Sequence, residues 1–271
     1  MSIIWGGRTH QPDVGLGNKL FLFFSAAIYS QQHNLNIISD GKGPEKKIRD
    51  VVKLINLDKL YYKKETPEKM KSIKLQKIYE NDNLKYHGDN NNYIFCEYYH
   101  SPINIVKNFN IIKQFIDVDF HRKEAIENIQ TKYTITNNDV LCHIRLGDFN
   151  SNSGNIVSPE YYLNILNENN YSKIYLIVFN NWNDFQTEKY LKYFEKYKEK
   201  LVVIVNGDIK EDFYMPYLFN NIIVSNSTFC WWSVFLNSDE TKKIYLTEKG
   251  FWGKNYMFET SKLLKEKYIK L

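Results

Sequence analysis

Cysteine is scarce in this chain. There are three in 271 residues, Cys96, Cys142 and Cys230. An odd number without close spacing excludes a disulfide framework and argues against a zinc site. A reduced, cytoplasmic compartment is the matching expectation. The opening stretch, Met1 to His10, lacks the apolar core of a secretory signal. The longest early apolar run, Leu20 to Tyr29, falls well short of the roughly 20 residues that cross a bilayer. No internal repeat and no linker-like low-complexity stretch is present.

What is there supports a folded core. Hydrophobic residues make up 43% of the chain, so wholesale disorder is excluded. The length suits one large or two small domains, at roughly 100–200 residues each. Lys, Asn, Ile and Tyr are overused throughout, which blurs motifs built from them. The formal net charge is +5. An excess of cations suits an acidic ligand, although most of it reads as a Lys-rich solvated surface. Lysines alternate with carboxylates from Thr187 to Lys200, the mark of a solvated helix face. No nucleic-acid partner is expected.

Apolar runs alternate with helical spacing. Ser2 to Trp5 reads as a strand, Lys19 to His33 as a buried helix behind Gly15-Leu16-Gly17-Asn18, and Leu35 to Ser39 as the next strand. Together they form a βαβ unit. Ile48 to Leu60 has a helical pattern, little structure is predicted after Pro67, and Tyr93 to Tyr98 reads as a strand. Helical spacing returns over Pro102 to Phe115 and Asp119 to Gln130. The polar stretch 131–138 is the expected boundary, giving domains 1–135 and 136–271. The second half reads as strands at Asp139 to Ile144, Lys173 to Phe179, Leu201 to Val205, Asn221 to Ser225 and Lys243 to Thr247. Helices are expected between them: Pro159 to Asn167 with Ser158 as N-cap, Phe185 to Lys200, Asp212 to Phe219 and Ser227 to Leu236. The fold class is α/β, with parallel sheets.

Three motifs stand where strands run out into loops. In His143-Ile144-Arg145-Leu146-Gly147-Asp148, Arg145 is a permanent cation whose fork matches phosphate oxygens, and Gly147 permits close backbone approach. A structural Arg–Asp pair is the alternative. In Ser225-Asn226-Ser227-Thr228-Phe229-Cys230-Trp231-Trp232, hydroxyls and N–H groups at a helix N-terminus form an anion site. Ser227 and Thr228 suit capping as well as phosphate contact, and the tryptophans suit core packing. Gly15-Leu16-Gly17-Asn18 is half of a dinucleotide fingerprint and equally a tight turn.

In this order the motifs resemble the α-1,2-fucosyltransferase family. Gly15 to Asn18 match its opening Gly-Leu-Gly-Asn. His143, Arg145, Gly147 and Asp148 match its His-x-Arg-Arg-Gly-Asp, with Phe149 for a Tyr. Asn226, Ser227, Thr228, Phe229, Trp231 and Trp232 match its closing motif. Asp212 with Met215, and Tyr98 to Ser101, resemble two further elements. The chain departs from the family at Leu146, which replaces the second arginine, at Lys19 and His100, which replace glutamines, and at Asn180-Asn181-Trp182, where two carboxylates are missing. Gly6-Gly7 is separated from Gly15 by an insert.

The resemblance implies two Rossmann-like halves of the GT-B type, with acceptor on the N-terminal half and nucleotide on the C-terminal half. It implies inverting, metal-independent transfer of fucose from GDP-fucose, the donor substrate, to a galactose-containing oligosaccharide, with no cofactor. His143 and Asp212 would hold the guanine or ribose, and Arg145 and Ser227 the phosphates. Gly17, Asn18, Asn226, Thr228 and Phe229 complete the donor site. Arg145, Asp148 and His143 are the expected catalytic residues, and Asp148 and Asp13 are candidate bases. A metal-binding Asp117-Val118-Asp119 turn is the minor alternative, without support from a preceding strand. Another GDP-deoxyhexose donor, or a binding module without turnover, are the competing functions. A peripheral position at a membrane is left open.

Overall fold

Two five-stranded sheets organise the chain. The computed structural model describes residues 2–4, 15–34, 36–39, 62–64, 75–78, 92–95, 102–114, 116, 118–146, 156–179, 184–205, 207–239 and 241–247, with the first, third, fourth, fifth and sixth of these stretches as backbone only. The expected helix at Ile48 to Leu60 and the motif Tyr98 to Ser101 lie outside them. So do Asp13, Cys96, Asp117, Gly147, Asp148, Phe149 and Asn180 to Trp182. The chain divides into two units, Met1–His121 and Arg122–Leu271.

The first unit holds β1 (Ser2–Ile4), β2 (Asn36–Ser39), β3 (Tyr62–Lys64), β4 (Leu75–Ile78) and β5 (Asn92–Phe95). Their order is β3-β2-β1-β5-β4, with every pair parallel. Helix α1 (Leu16–His33) links β1 to β2, completing the expected βαβ unit. It is buried from Leu16 to Ser30, on all sides, as its apolar sequence requires. Asn34 closes it in the left-handed region at φ 51°, a conformation asparagine tolerates. The helix begins three residues before the sequence pattern predicts, so Gly17 and Asn18 form its first turn. Pro102 to Phe115 is predicted as one helix and is two, α2 (Pro102–Lys107) and α3 (Phe109–Lys113). The break is at Asn108, whose side chain donates to the Asn104 carbonyl at 2.8 Å and competes with the helical ladder. Both short helices pack on α1.

Helix α4 (Val118–Lys132) crosses the division, and the second unit continues with β6 (Val140–Arg145), α5 (Pro159–Glu168), β7 (Ile174–Phe179), α6 (Asp184–Leu191), β8 (Leu201–Val205), α7 (Ile209–Tyr214), β9 (Asn221–Val224), α8 (Thr228–Asn237) and β10 (Lys243–Leu246). The parallel order is β10-β9-β6-β7-β8. The chain therefore starts in the middle, runs outward through β7 and β8, and crosses back to β9. The strand order reverses between β6 and β9. Central β6 and β7 are buried over their first five residues, as strands covered on both faces must be. Val140, Cys142 and Ile144 pack with Tyr162, Leu166, Leu176 and Phe194 on one face. His143 and Arg145 fall on the other. Asp139 is fully buried and accepts from the Thr136 and Lys173 N–H groups at 2.8 and 2.9 Å, tying the starts of β6 and β7 together.

Ser158 caps α5 by accepting from the Glu160 N–H. Phe185 to Lys200 is predicted as one α-helix, but α6 gives way to a 3₁₀ helix at Lys192–Lys200. Phe194, Tyr197 and Lys200 are its non-exposed positions, in step with Leu191 at its N-cap. That spacing of three places them on one face only at three residues per turn. Among the described residues, no helix is long and apolar enough to cross a membrane.

Candidate functional site

Ligands of open parallel sheets bind beyond the carboxyl ends of strands, where strand order reverses. In the second sheet that point is fixed by β6 and β9. At the end of β6, His143 is 5% exposed, and its Nδ1 lies 2.9 Å from Ser225 Oγ, the residue after β9. The Tyr162 hydroxyl donates to the His143 carbonyl at 2.8 Å and fixes the strand end from the opposite face. Burial, then the positive charge of Arg145, pushes the imidazole down to about 3. His143 is therefore neutral at physiological pH. It supplies one donor and one acceptor rather than charge.

Arg145, two residues on, ends the strand. Its guanidinium carbon stands 4.4 Å from the Phe179 ring centroid, over the residue it pairs with in β7. The stacked plane restricts the cation's orientation. Leu146 is 1% exposed and belongs to the core cluster. The position occupied by an arginine in the resembled motif is here an apolar anchor.

The other wall is the start of α8. Ser227 is its N-cap and accepts from the Cys230 N–H at 3.4 Å. Its hydroxyl hydrogen remains a donor, so capping and anion contact are compatible. The first-turn N–H groups and the helix dipole favour negative charge there. Asn226 is 1% exposed between strand and helix. Trp231 and Trp232 are 2% and 0% exposed, and Trp231 stacks on Phe235 at 4.7 Å. They are core residues, as expected.

Phe229 joins this wall to Asp212. Its ring is 6.2 Å from His143 and 5.6 Å from Phe213. The Phe213 carbonyl accepts from Ser233 Oγ at 2.6 Å and Asn237 Nδ2 at 2.9 Å, clamping α7 to α8. Asp212, next to Phe213, is 7% exposed. Burial first, then the charges of Asp208 and Glu211, raises its carboxyl from the ordinary 3.8 to about 7. Thr228 opens α8 beside Ser227. Gly17 and Asn18 belong to the first unit, in the first turn of α1. There Gly15 has φ −59°, open to any residue, so no left-handed turn requires its glycine. Asp119 lies in the first turn of α4 and not in a turn after a strand.

The sequence pattern starts a helix at Asp212, whereas α7 starts at Ile209. Asp208 is its N-cap, accepting from Lys210 and Glu211 N–H groups at 2.9 and 3.0 Å. The signal was legible: Asp208 with Glu211 three residues on has the capping-box spacing. Gly207 is a second residue the pattern passes over. A Cβ there would stand 2.8 Å from Asp212 Oδ1 and 3.0 Å from Ile204 Cγ2. Any residue with a Cβ would require the Asp212 carboxylate to shift.

The switch point of the second sheet carries a cation at one strand end and a capped helix N-terminus at the next, an arrangement suited to an anionic ligand. The profile of glycosyl transferase family 11 matches residues 54–269, and the chain belongs to that family. The match takes in the second and third motifs and starts after Gly15 to Asn18. No curated protein matches the chain. Among solved structures it is similar to the fucosyltransferase NodZ from Bradyrhizobium, at 11% identity and a TM-score of 0.51, covering 86% of this chain and 92% of that one. A structure of NodZ α-1,6-fucosyltransferase soaked with GDP-fucose gives 11% identity and 0.50, covering 87% and 92%. At that identity the likeness establishes the fold.

Proposed function

We propose that this glycosyltransferase moves fucose from GDP-fucose to a hydroxyl of a galactose-containing acceptor, in α-1,2 linkage, with inversion and without a metal ion. The observation that carries the reading is the meeting of the His143–Arg145 strand end with the Ser225–Thr228 helix start at the switch point. Breaking the sugar–phosphate bond leaves negative charge on the β-phosphate of GDP. Without a metal, fixed donors must stabilise it. Arg145, the Ser227 and Thr228 hydroxyls and the first-turn N–H groups of α8 are such donors. Neutral His143 and the buried Asp212 take the guanine or ribose, with Asn226 and Phe229 lining the donor. Asp148 is a candidate base for the acceptor hydroxyl. The NodZ structure soaked with GDP-fucose is in keeping with that donor. The linkage and the galactose rest on the motif resemblance.

The test is ligand protection followed by transfer. A ligand that binds only the folded chain at about 100 times its Kd adds about 2.7 kcal/mol of stability. GDP is expected to raise the melting temperature and UDP to leave it unchanged. GDP-fucose with a β-galactoside is then expected to yield a product cleaved by an α-1,2-specific fucosidase. Protection by UDP alone would overturn the donor. A fucosylated product resistant to that enzyme would overturn only the linkage. Protection by GDP without turnover on any galactoside would favour the binding-module alternative.

A further inference from the structure

A neutral imidazole acts through whichever ring nitrogen carries the proton, and the partner of the other nitrogen decides which that is. For His143 that partner is Ser225, the residue after β9. Ser225 is 0% exposed, and its Oγ lies 2.9 Å from His143 Nδ1. Among the described residues the hydroxyl has no other partner. Phe229, in the first turn of α8, sets its ring 6.2 Å from the imidazole. The Tyr162 hydroxyl holds the strand behind it through the His143 carbonyl.

Two proton arrangements share the 2.9 Å contact. With the proton on Nδ1, the ring donates to Ser225 Oγ, and the serine's own hydrogen is buried with no acceptor among the described residues. A buried donor left unmade disfavours that arrangement by about 5- to 150-fold. With Nδ1 bare, Ser225 donates to it and both groups are satisfied. What is left over is a lone pair on Oγ, and under-satisfied acceptors are tolerated better than orphaned donors. The carbonyl of His143, close to its own ring, would reward a proton on Nδ1. That carbonyl already accepts from Tyr162 at 2.8 Å. We infer that Ser225 is a positioning residue: it donates to Nδ1 and holds His143 as the Nε2–H tautomer, so that the imidazole offers its ligand a hydrogen-bond donor. Nε2 has no protein partner among the described residues, and it is not one of the polar atoms sealed from solvent. Its N–H is the group left for a ligand. On the function proposed above, on which this step rests, the acceptor is an oxygen or ring nitrogen of the guanosine. A nitrogen that already carries its proton takes none from the acceptor hydroxyl. His143 therefore binds and orients, and is not the base.

Long-range nitrogen–proton NMR correlation of the full chain, labelled at histidine, reads the tautomer directly. The chain has six histidines, and His143→Gln identifies the resonances. At neutral pH without nucleotide, the wild type is expected to show a protonated Nε2 and a bare Nδ1. Ser225→Ala removes the donor, and the two nitrogens are expected to move toward a common shift as the tautomers mix. GDP is expected to shift Nε2 with its proton retained. Ser225→Ala is expected to weaken GDP binding by about 5- to 10-fold, the equivalent of one hydrogen bond. A proton on Nδ1 in the wild type would overturn the inference, whether or not the variant folds. A folded Ser225→Ala with the tautomer unchanged would also overturn it. A protonated Nε2 that GDP leaves unshifted would uphold the tautomer and count against the proposed nucleotide instead.

Discussion

Arg145 is held before any ligand arrives. Its guanidinium lies over Phe179 at 4.4 Å, so little side-chain freedom is left to lose at the transition state. With Leu146 buried, the proposed function leaves to this one cation what the resembled motif divides between two. Arg145→Ala is expected to lower kcat/KM by about 30- to 1000-fold, the equivalent of roughly 2–4 kcal/mol of lost transition-state stabilisation. Steady-state kinetics with GDP-fucose check it, and near-normal turnover would remove Arg145 from the chemistry. Asp212 has a different signature. Its carboxyl is raised from 3.8 to about 7, so the folded chain holds a proton there that the unfolded chain has already lost. Its contribution to stability therefore falls as pH rises between those values, and above neutrality the buried charge is a standing cost. Asp212→Asn should flatten that slope and be the more stable protein at alkaline pH, with weaker protection by GDP. Thermal melts across pH without nucleotide decide it; parallel curves for the two proteins would contradict the assignment.

At the scale of elements, α7 shows how short a functional element can be when its ends are fixed. Asp208 caps it, and Lys132–Glu211 and Glu124–Lys210 ion pairs, both at 2.6 Å, hold it to α4. Gly207 brings the chain against Asp212. Gly207→Ala forces a Cβ to 2.8 Å from that carboxylate oxygen and should cost about 1–3 kcal/mol, as overpacking does. Urea unfolding measures the loss, and GDP affinity should fall with it. Beyond α7, the 3₁₀ segment Met215–Leu218 leaves carbonyls that Lys242 collects. Its ammonium donates to Pro216, Tyr217 and Phe219 carbonyls at 3.1, 2.6 and 3.0 Å, and burial lowers its pKa. Lys242→Met keeps the stem but strands those acceptors. A loss of about 1–3 kcal/mol is expected by the same assay, with the KM for GDP-fucose unchanged.

For the whole molecule, the second of two parallel sheets places the candidate residues at its switch point, and the proposed function assigns the charge work to fixed protein donors. Transfer is therefore expected to proceed in excess EDTA. Loss of activity that Mn²⁺ restores would direct attention back to Asp117 and Asp119. The parts of this plan that were legible were those with strong internal pattern. β6, β7 and α1 are long apolar runs, buried on all sides, and nothing competes with that signal. Strands β3 and β4 were missed because they are short, Lys-bearing edges that need little apolar sequence. The 3₁₀ turn after α6 was missed because its period of three is visible only once the neighbouring core shows which side must face it.

By itself, the sequence determined the parallel α/β class, the motifs at His143–Asp148 and Ser225–Trp232, and through them the family. Those are local properties: apolar periodicity, capping residues and residue order along the chain. Only the tertiary structure decided that His143 stays neutral, that Leu146 is core, that Ser225 meets His143 across β6 and β9, and that Gly207 makes room for Asp212. Each depends on residues between 5 and 82 positions apart being brought into contact. Such distances, and the burial that shifts a proton's affinity, are set by strand order, which one-dimensional pattern does not contain.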